Sequence, residues 1–263
     1  MNILYIGDIM GKPGREVVAR VLPEIKNELI PDVIIAQSEN ITHGKGIEPK
    51  HMHELQNLGV DFFTGGNHSL HRPSIHKYLD DNNQPIIRPA NFPKSSPGRG
   101  HKIINTAHGE VLVISLLGST VPGGLSVDHP LDCVDKILEE HEGRHLSATI
   151  VNFHGDYSSE KRMIGYYLDG RVTAVIGDHW HVPTADEMIL PKRTAHITDV
   201  GMCGTIHSSL GVKLDITIKR WQNQIQSKNE LEEDGSLQFN AVLVETDNTT
   251  HLAKSISTIR RFI

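Results

Sequence analysis

A chain of 263 residues, 38% hydrophobic and 22% charged, is long enough to bury a full core without cross-links, and it predicts a single domain over residues 1–263. Its formal charge of −6 excludes bulk attraction of nucleic acid and leaves room only for a local cationic site such as bound metal. No apolar run approaches bilayer length, Met1–Asp8 lacks the basic start of a signal peptide, and Cys133 and Cys203 stand far apart, so a cytoplasmic protein with reduced thiols and no membrane association is expected.

Short apolar runs alternate with amphipathic stretches from the first residue, which predicts an α/β fold. Asn2 to Ile6 reads as a buried strand, Pro13 to about Leu29 as a helix, Asp32 to Gln37 as the next strand and Pro49 to Leu58 as the next helix. Val60 to Thr64 is strand-like, Arg72 to Leu79 a short helix, and Gln84 to Arg88 returns to strand. His101 to Asn105 and Glu110 to Leu116 form a hairpin pattern. Next come a helix at Leu131 to Glu142, a strand at Ala148 to Phe153, a helix at Ser158 to Leu168 and a strand at Arg171 to Ile176. Gln222 to Gly235 is polar enough for a loop, and a second hairpin, Asn240 to Glu245 with His251 to Ile259, turns on Asp247 to Thr250. Strands in both halves with hairpins between them favour two mixed sheets over one parallel sheet.

The residues at the strand ends can all ligate a metal. Asp8 comes after the first strand, Glu39 and Asn40 after the second, Asn67 and His68 after the third, His154 after the strand ending at Phe153, and His179 with His181 after the one ending at Ile176. In open α/β sheets the ligand crevice lies at the carboxyl ends of strands, so donors scattered along the sequence can converge. If the strand continued through GDHWHV, side-chain alternation would point His179 and His181 to one face and Trp180 to the other, a chelating geometry. Two carboxylates, two amides and four imidazoles exceed the needs of one ion, and imidazoles without thiolates favour iron, manganese, zinc or a neighbouring first-row ion over magnesium or calcium. Two divalent ions against Asp8 and Glu39 leave a site of about +2, which invites phosphate. A bridging hydroxide would complete such a site. Arg88, before Pro89, could steady a phosphate oxygen, but an exposed arginine or a structural ion pair is the favoured reading.

Asp8 in GD, Gly66-Asn67-His68 and Gly177 to His181 resemble the calcineurin-like metallophosphoesterases. More narrowly, GDIMGKPGR, SEN and then HGKG, RPANFP at Arg88 to Pro93, FHGDYSSEK at Phe153 to Lys161, and LPK with ITDVGM between Leu190 and Met202 are similar to the YmdB family. The resemblance implies a four-layer sandwich of two mixed β-sheets flanked by helices. It also implies a binuclear phosphodiesterase acting on 2′,3′-cyclic and 3′,5′-cyclic nucleotides. On it, Asp8, Glu39, Asn40 and His181 hold one metal, and Glu39, Asn67, His154 and His179 the other, with Glu39 bridging and His68 the catalytic acid. The chain departs from the family pattern in GNHSLH, where GNHTWD is usual, and in GDHWHV, where GTHTHV is usual, so His71, Asp178 and Trp180 are its own. A phosphomonoesterase or protein phosphatase in the same site, or a slow-turnover regulator that binds metal and nucleotide, is the alternative; homo-oligomerisation is open. An amidohydrolase is disfavoured, because there the H-x-H pair comes on the first strand.

Overall fold

The structure, a computed structural model, describes residues 1–121 and 126–263. In chain order the elements are β1 (Asn2–Ile6), β2 (Asp8–Ile9), α1 (Gly11–Leu29), β3 (Val33–Gln37), α2 (Pro49–Leu58), β4 (Phe62–Thr64), α3 (His76–Asp80), β5 (His101–Thr106), β6 (Gly109–Leu117), α4 (Pro130–Glu140), β7 (Leu146–His154), α5 (Ser158–Tyr167), β8 (Ala174–Asp178), β9 (Met188–Ile189), β10 (Ala195–Ile197), β11 (Met202–Thr205), α6 (Leu214–Asn223), β12 (Leu237–Thr246) and β13 (Ala253–Phe262). One sheet runs β2-β11-β12-β1-β3-β4 with β13 on β12, and the other β5-β6-β7-β8-β10-β9. Both are mixed. In the first, β1 pairs parallel with β3 and antiparallel with β12; in the second, β6, β7, β8 and β10 are parallel, and β5 and β9 antiparallel edges.

Period-two alternation builds the layers. Ile3 and Tyr5 of β1 pack with Val111 and Val113 of β6 and Ile150 of β7 in a core between the sheets, while Leu4 and Ile6 face α1 and α2. The second sheet does the same on its other side, where Leu112, Ile114, Val151 and Phe153 meet Val134 of α4 and Ile164 of α5. Strands covered on both faces have no solvent side, which is why they read as unbroken apolar runs. The result is the expected four-layer sandwich, helix, sheet, sheet, helix.

Three expectations are corrected. Gln84 to Arg88 makes only a single bridge, Ile86 to Phe63, and is not a strand. The polar stretch assigned to loop from Gln222 begins as the last turn of α6, a helix none of whose residues is buried. And β8 ends at Asp178: His179 and His181 have φ of 105° and 63°, in the left-handed region, so the pair sits on a tight turn and not on a continuing strand. No helix among the described residues is long and apolar enough to cross a membrane.

Candidate metal centre

Because β1, β3, β4, β7 and β8 carry their polar residues at their carboxyl ends, those ends supply one cleft from both sheets. Glu39, Asn40, Asn67, His68, His179 and His181 line a cavity of about 290 Å3. Asp8 joins them from below, its Oδ2 accepting from the His179 amide at 3.2 Å and its Oδ1 lying 4.0 Å from His181 Nε2. His154 joins through Asn67 Oδ1, 3.0 Å from its Nε2, and through its ring, centred 4.5 Å from that of His179. The Glu39 carboxylate also accepts from the His68 backbone N–H.

Donors sharing an ion at about 2.1 Å lie about 3.0–3.4 Å from one another. Asn40 Oδ1 to His181 Nε2 is 3.2 Å, and Asn67 Oδ1 to His154 Nε2 is 3.0 Å, while Glu39 Oε1 to His154 Nε2 is wider at 3.9 Å. Among the described residues no three His, Cys, Asp or Glu groups alone are gathered around one point. The two short edges here each include an amide, so a set drawn only from those four residue types falls short of the site. Buried Asp8 Oδ1 and Glu39 Oε2 have no hydrogen-bond partner, and buried carboxylate oxygens are costly without a donor or a cation. Four carboxylates, Asp8, Glu39, Asp178 and Asp199, are buried together, with Lys161 the buried lysine beside them. Such a set fits divalent cations.

The electrostatics agree. Burial, then the Asp178 charge, holds Asp8 well above the usual carboxylate range, and burial raises Glu39 to about 7. Burial works against a charged His154, but the Asp178 hydrogen bond and charge and the Glu39 charge win, raising it to about 9. Burial lowers His179 to about 3 and His181 to about 4, leaving them neutral, as ligands must be.

The orientation of the candidate ligands is fixed from behind. His181 Nδ1 donates to the Leu210 carbonyl at 3.1 Å, and His154 Nδ1 to Asp178 Oδ1 at 2.6 Å, so each ring turns Nε2 into the cleft. Asp178 Oδ2 in turn accepts from Tyr5 Oη at 3.0 Å, Gln37 Nε2 at 2.8 Å and Asn152 Nδ2 at 2.5 Å. Lys161, wholly buried, donates to Asp199 Oδ2 at 2.6 Å and to the Asp178 carbonyl at 2.7 Å, and lies over the Trp180 ring. The same Asp199 oxygen accepts from the Trp180 amide at 2.8 Å, pinning the turn that carries both histidines. Glycine is needed where the chains close: a Cβ on Gly66 would stand 2.5 Å from the His154 ring.

A family model described as YmdB-like protein matches residues 4–259. The chain belongs to the YmdB-like family. It is 38% identical over 259 residues to a 2′,3′-cyclic-nucleotide 2′-phosphodiesterase of Bacillus subtilis, covering 98% of this chain and 96% of the relative. A phosphatase of Mycoplasma pneumoniae superposes with a TM-score of 0.93 at 30% identity, covering 100% of this chain and 93% of the other. A 5′-nucleotidase precursor of Thermus thermophilus, at TM-score 0.59 and 11% identity over 100% of this chain and 54% of that one, shares the fold. Membership in a metallophosphoesterase family implies divalent metal ions.

Within this YmdB-like chain, one expected residue stands elsewhere. Arg88 does not reach the cleft: its guanidinium is spent on the carbonyls of Pro89 at 2.7 Å, Gly98 at 3.0 Å, Pro97 at 3.3 Å and Ala90 at 3.4 Å, and it bridges a loop in place of holding substrate. The residues that sequence reasoning missed are Tyr5, Gln37, Asn152, Lys161 and Asp199. Asn152 was open to discovery, since alternation along β7 puts it on the face that carries His154. The others gave no signal beyond being polar within apolar runs or family motifs.

Proposed function

We propose that this protein is a binuclear metal-dependent phosphodiesterase that opens 2′,3′-cyclic nucleotides, with 3′,5′-cyclic nucleotides as a second substrate class. Asp8, Glu39, Asn40 and His181 hold one ion and Glu39, Asn67, His154 and His179 the other, iron first in preference, then manganese or zinc. When bound, the ions neutralise the phosphate and lower the pKa of water. The observation that carries this reading is the pair of buried oxygens without donors, Asp8 Oδ1 and Glu39 Oε2, beside the neutral imidazoles of His179 and His181 and the amides of Asn40 and Asn67.

The chain's own residues then position the reaction. Asp178 and the Leu210 carbonyl hold the His154 and His181 rings, so the ligands need no reorganisation. Hydrolysis joins a water oxygen to phosphorus and breaks the bond to a ribose oxygen, which takes up a proton. Asn67 turns its Oδ1 to His154, so its Nδ2–H donates to His68 Nδ1 at 3.1 Å and the His68 proton sits on Nε2. Burial, then Lys45 and His154, lowers His68 to about 4, so at neutral pH it offers a neutral ring's N–H to the departing oxygen, a hydrogen-bond donor where the sequence suggests an acid.

Metal analysis of protein purified without added metal, together with assays of 2′,3′-cyclic and 3′,5′-cyclic nucleotides, tests the reading. Two ions per chain and turnover of the cyclic diesters are expected, both abolished by Glu39→Gln. Turnover confined to phosphomonoesters favours the second reading, which similarity to the Mycoplasma phosphatase keeps in view.

A further inference from the structure

The metal cleft does not end at its ligands. A second cavity, of about 710 Å3, shares Met10, Gly44, Lys45, Val212 and Asn229 with it, so the two are one continuous groove. The second cavity has no carboxylate in its lining, and the first has only Glu39. Lys45, Arg220, Arg72 and Lys228 stand along the pair, in a chain whose formal charge is −6. Among the described residues, Arg72 alone of these four has an acidic partner, Glu48 at 3.8 Å. Arg220 is turned along the groove wall, its Nη2 donating to Asn229 Oδ1 at 2.7 Å and to the Ser227 carbonyl at 2.8 Å. His43 and His71 offer flat rings and Leu231 an apolar wall to the same space. Positive charge along a groove with flat and apolar surfaces between is how single-stranded nucleic acid is held.

The chemistry of the substrate says which part of it lies there. A 2′,3′-cyclic phosphate occupies both lower ribose oxygens, so any further phosphate must leave through the 5′ oxygen. We propose, resting on the phosphodiesterase reading above, that this groove receives the 5′ side of an RNA chain whose 3′ end carries the cyclic phosphate, and that chain ends are preferred over free cyclic mononucleotides. Such ends arise when a ribose 2′-hydroxyl displaces the next nucleotide, so strand cleavage of that type supplies the substrate. In the step itself water's oxygen joins phosphorus, the P–O2′ or P–O3′ bond breaks, and the freed ribose oxygen takes the proton; the 5′ chain is unchanged.

Three substrates test this with the metal-loaded protein: a nucleoside 2′,3′-cyclic phosphate with a free 5′-hydroxyl, the same molecule with a 5′-phosphate, and a tetraribonucleotide ending in the cyclic phosphate. The tetranucleotide is expected to have a KM about tenfold or more below that of the first, with a salt slope steeper by about 0.7 per added phosphate contact. Lys228→Glu, an exposed change outside the metal cleft, should erase that advantage and leave kcat/KM for the free-hydroxyl substrate within about twofold. Anisotropy of a 5′-labelled tetranucleotide ending in a 3′-phosphate gives binding without turnover. Equal KM for all three substrates, or no effect of Lys228→Glu, overturns the groove while the phosphodiesterase stands. A 5′-phosphorylated mononucleotide that matches the tetranucleotide assigns the groove to a single 5′-phosphate and overturns the chain end. Labelled strand that binds in a Lys228-dependent way, with no cyclic diester turned over, keeps the groove and removes the phosphodiesterase.

Discussion

At the scale of residues, the centre depends on the groups behind the ligands as much as on the ligands. Asp178 occupies a position where the family pattern carries threonine, yet its carboxylate orients His154 at 2.6 Å and gathers Tyr5, Gln37 and Asn152. Asp178→Thr should therefore cost about 10–100-fold in metal affinity, read by chelator competition at fixed pH. Unchanged affinity would mean that the ring is held by packing alone. His68 makes a contrasting case, since it faces the cleft without being required to hold an ion. His68→Ala should lower kcat about 10²–10³-fold while metal content stays at the wild-type level, a split that metal analysis and initial rates resolve together. Loss of metal in that variant would make His68 a support for Asn67 and nothing more.

At the scale of elements, the turn after β8 is the most constrained piece of the site. It holds His179 and His181 in left-handed conformations that no glycine relieves, and the buried Lys161 to Asp199 pair secures it from below. Lys161→Met leaves Asp199 buried without its cation and should cost about 3–5 kcal/mol in urea unfolding, with loss of metal from the loosened turn. Gly66→Ala should also empty the centre, because the added methyl must displace the His154 ring. The long strands were legible in the sequence because burial on both faces makes them apolar throughout, and the donors were legible because five strands, the short β4 among them, end in groups able to ligate a metal. The elements that escaped did so for physical reasons. β2, β9, β10 and β11 span two to four residues each, too short for any period to register, and exist only because neighbours pair with them. α6 buries none of its residues, so its apolar positions point to no core. The phosphate role stayed open for Arg88 because nothing in sequence tells a free guanidinium from one satisfied by nearby carbonyls.

At the scale of the whole molecule, protonation and folding are linked through the same centre. Glu39 lies at about 7 and His154 at about 9 in the folded protein, against usual values of 4.5 and 6.5. Both folded values are raised, so each contribution to stability is complete below the usual value and is lost as pH rises through the folded one. Asp178 is held low and acts only below the usual carboxylate range. Below about pH 6.5 the pull is opposite, because burial lowers His51, His68 and His181 to about 4 and His179 to about 3. The metal-free protein should therefore lose Tm only from about pH 7 to pH 9, where His154 deprotonates in the fold, and added metal should restore Tm most there, as calorimetry with and without chelator can read. A metal-free Tm that climbs across this window would contradict the assigned protonation. The donors come from two separate sheets, Asp8, Glu39, Asn40 and Asn67 from one and His154, His179 and His181 from the other, joined elsewhere by apolar packing. Cations held as proposed would act as rivets between the two halves of the sandwich. Chelation should speed amide hydrogen exchange at the facing tips of both sheets together and leave their far ends protected.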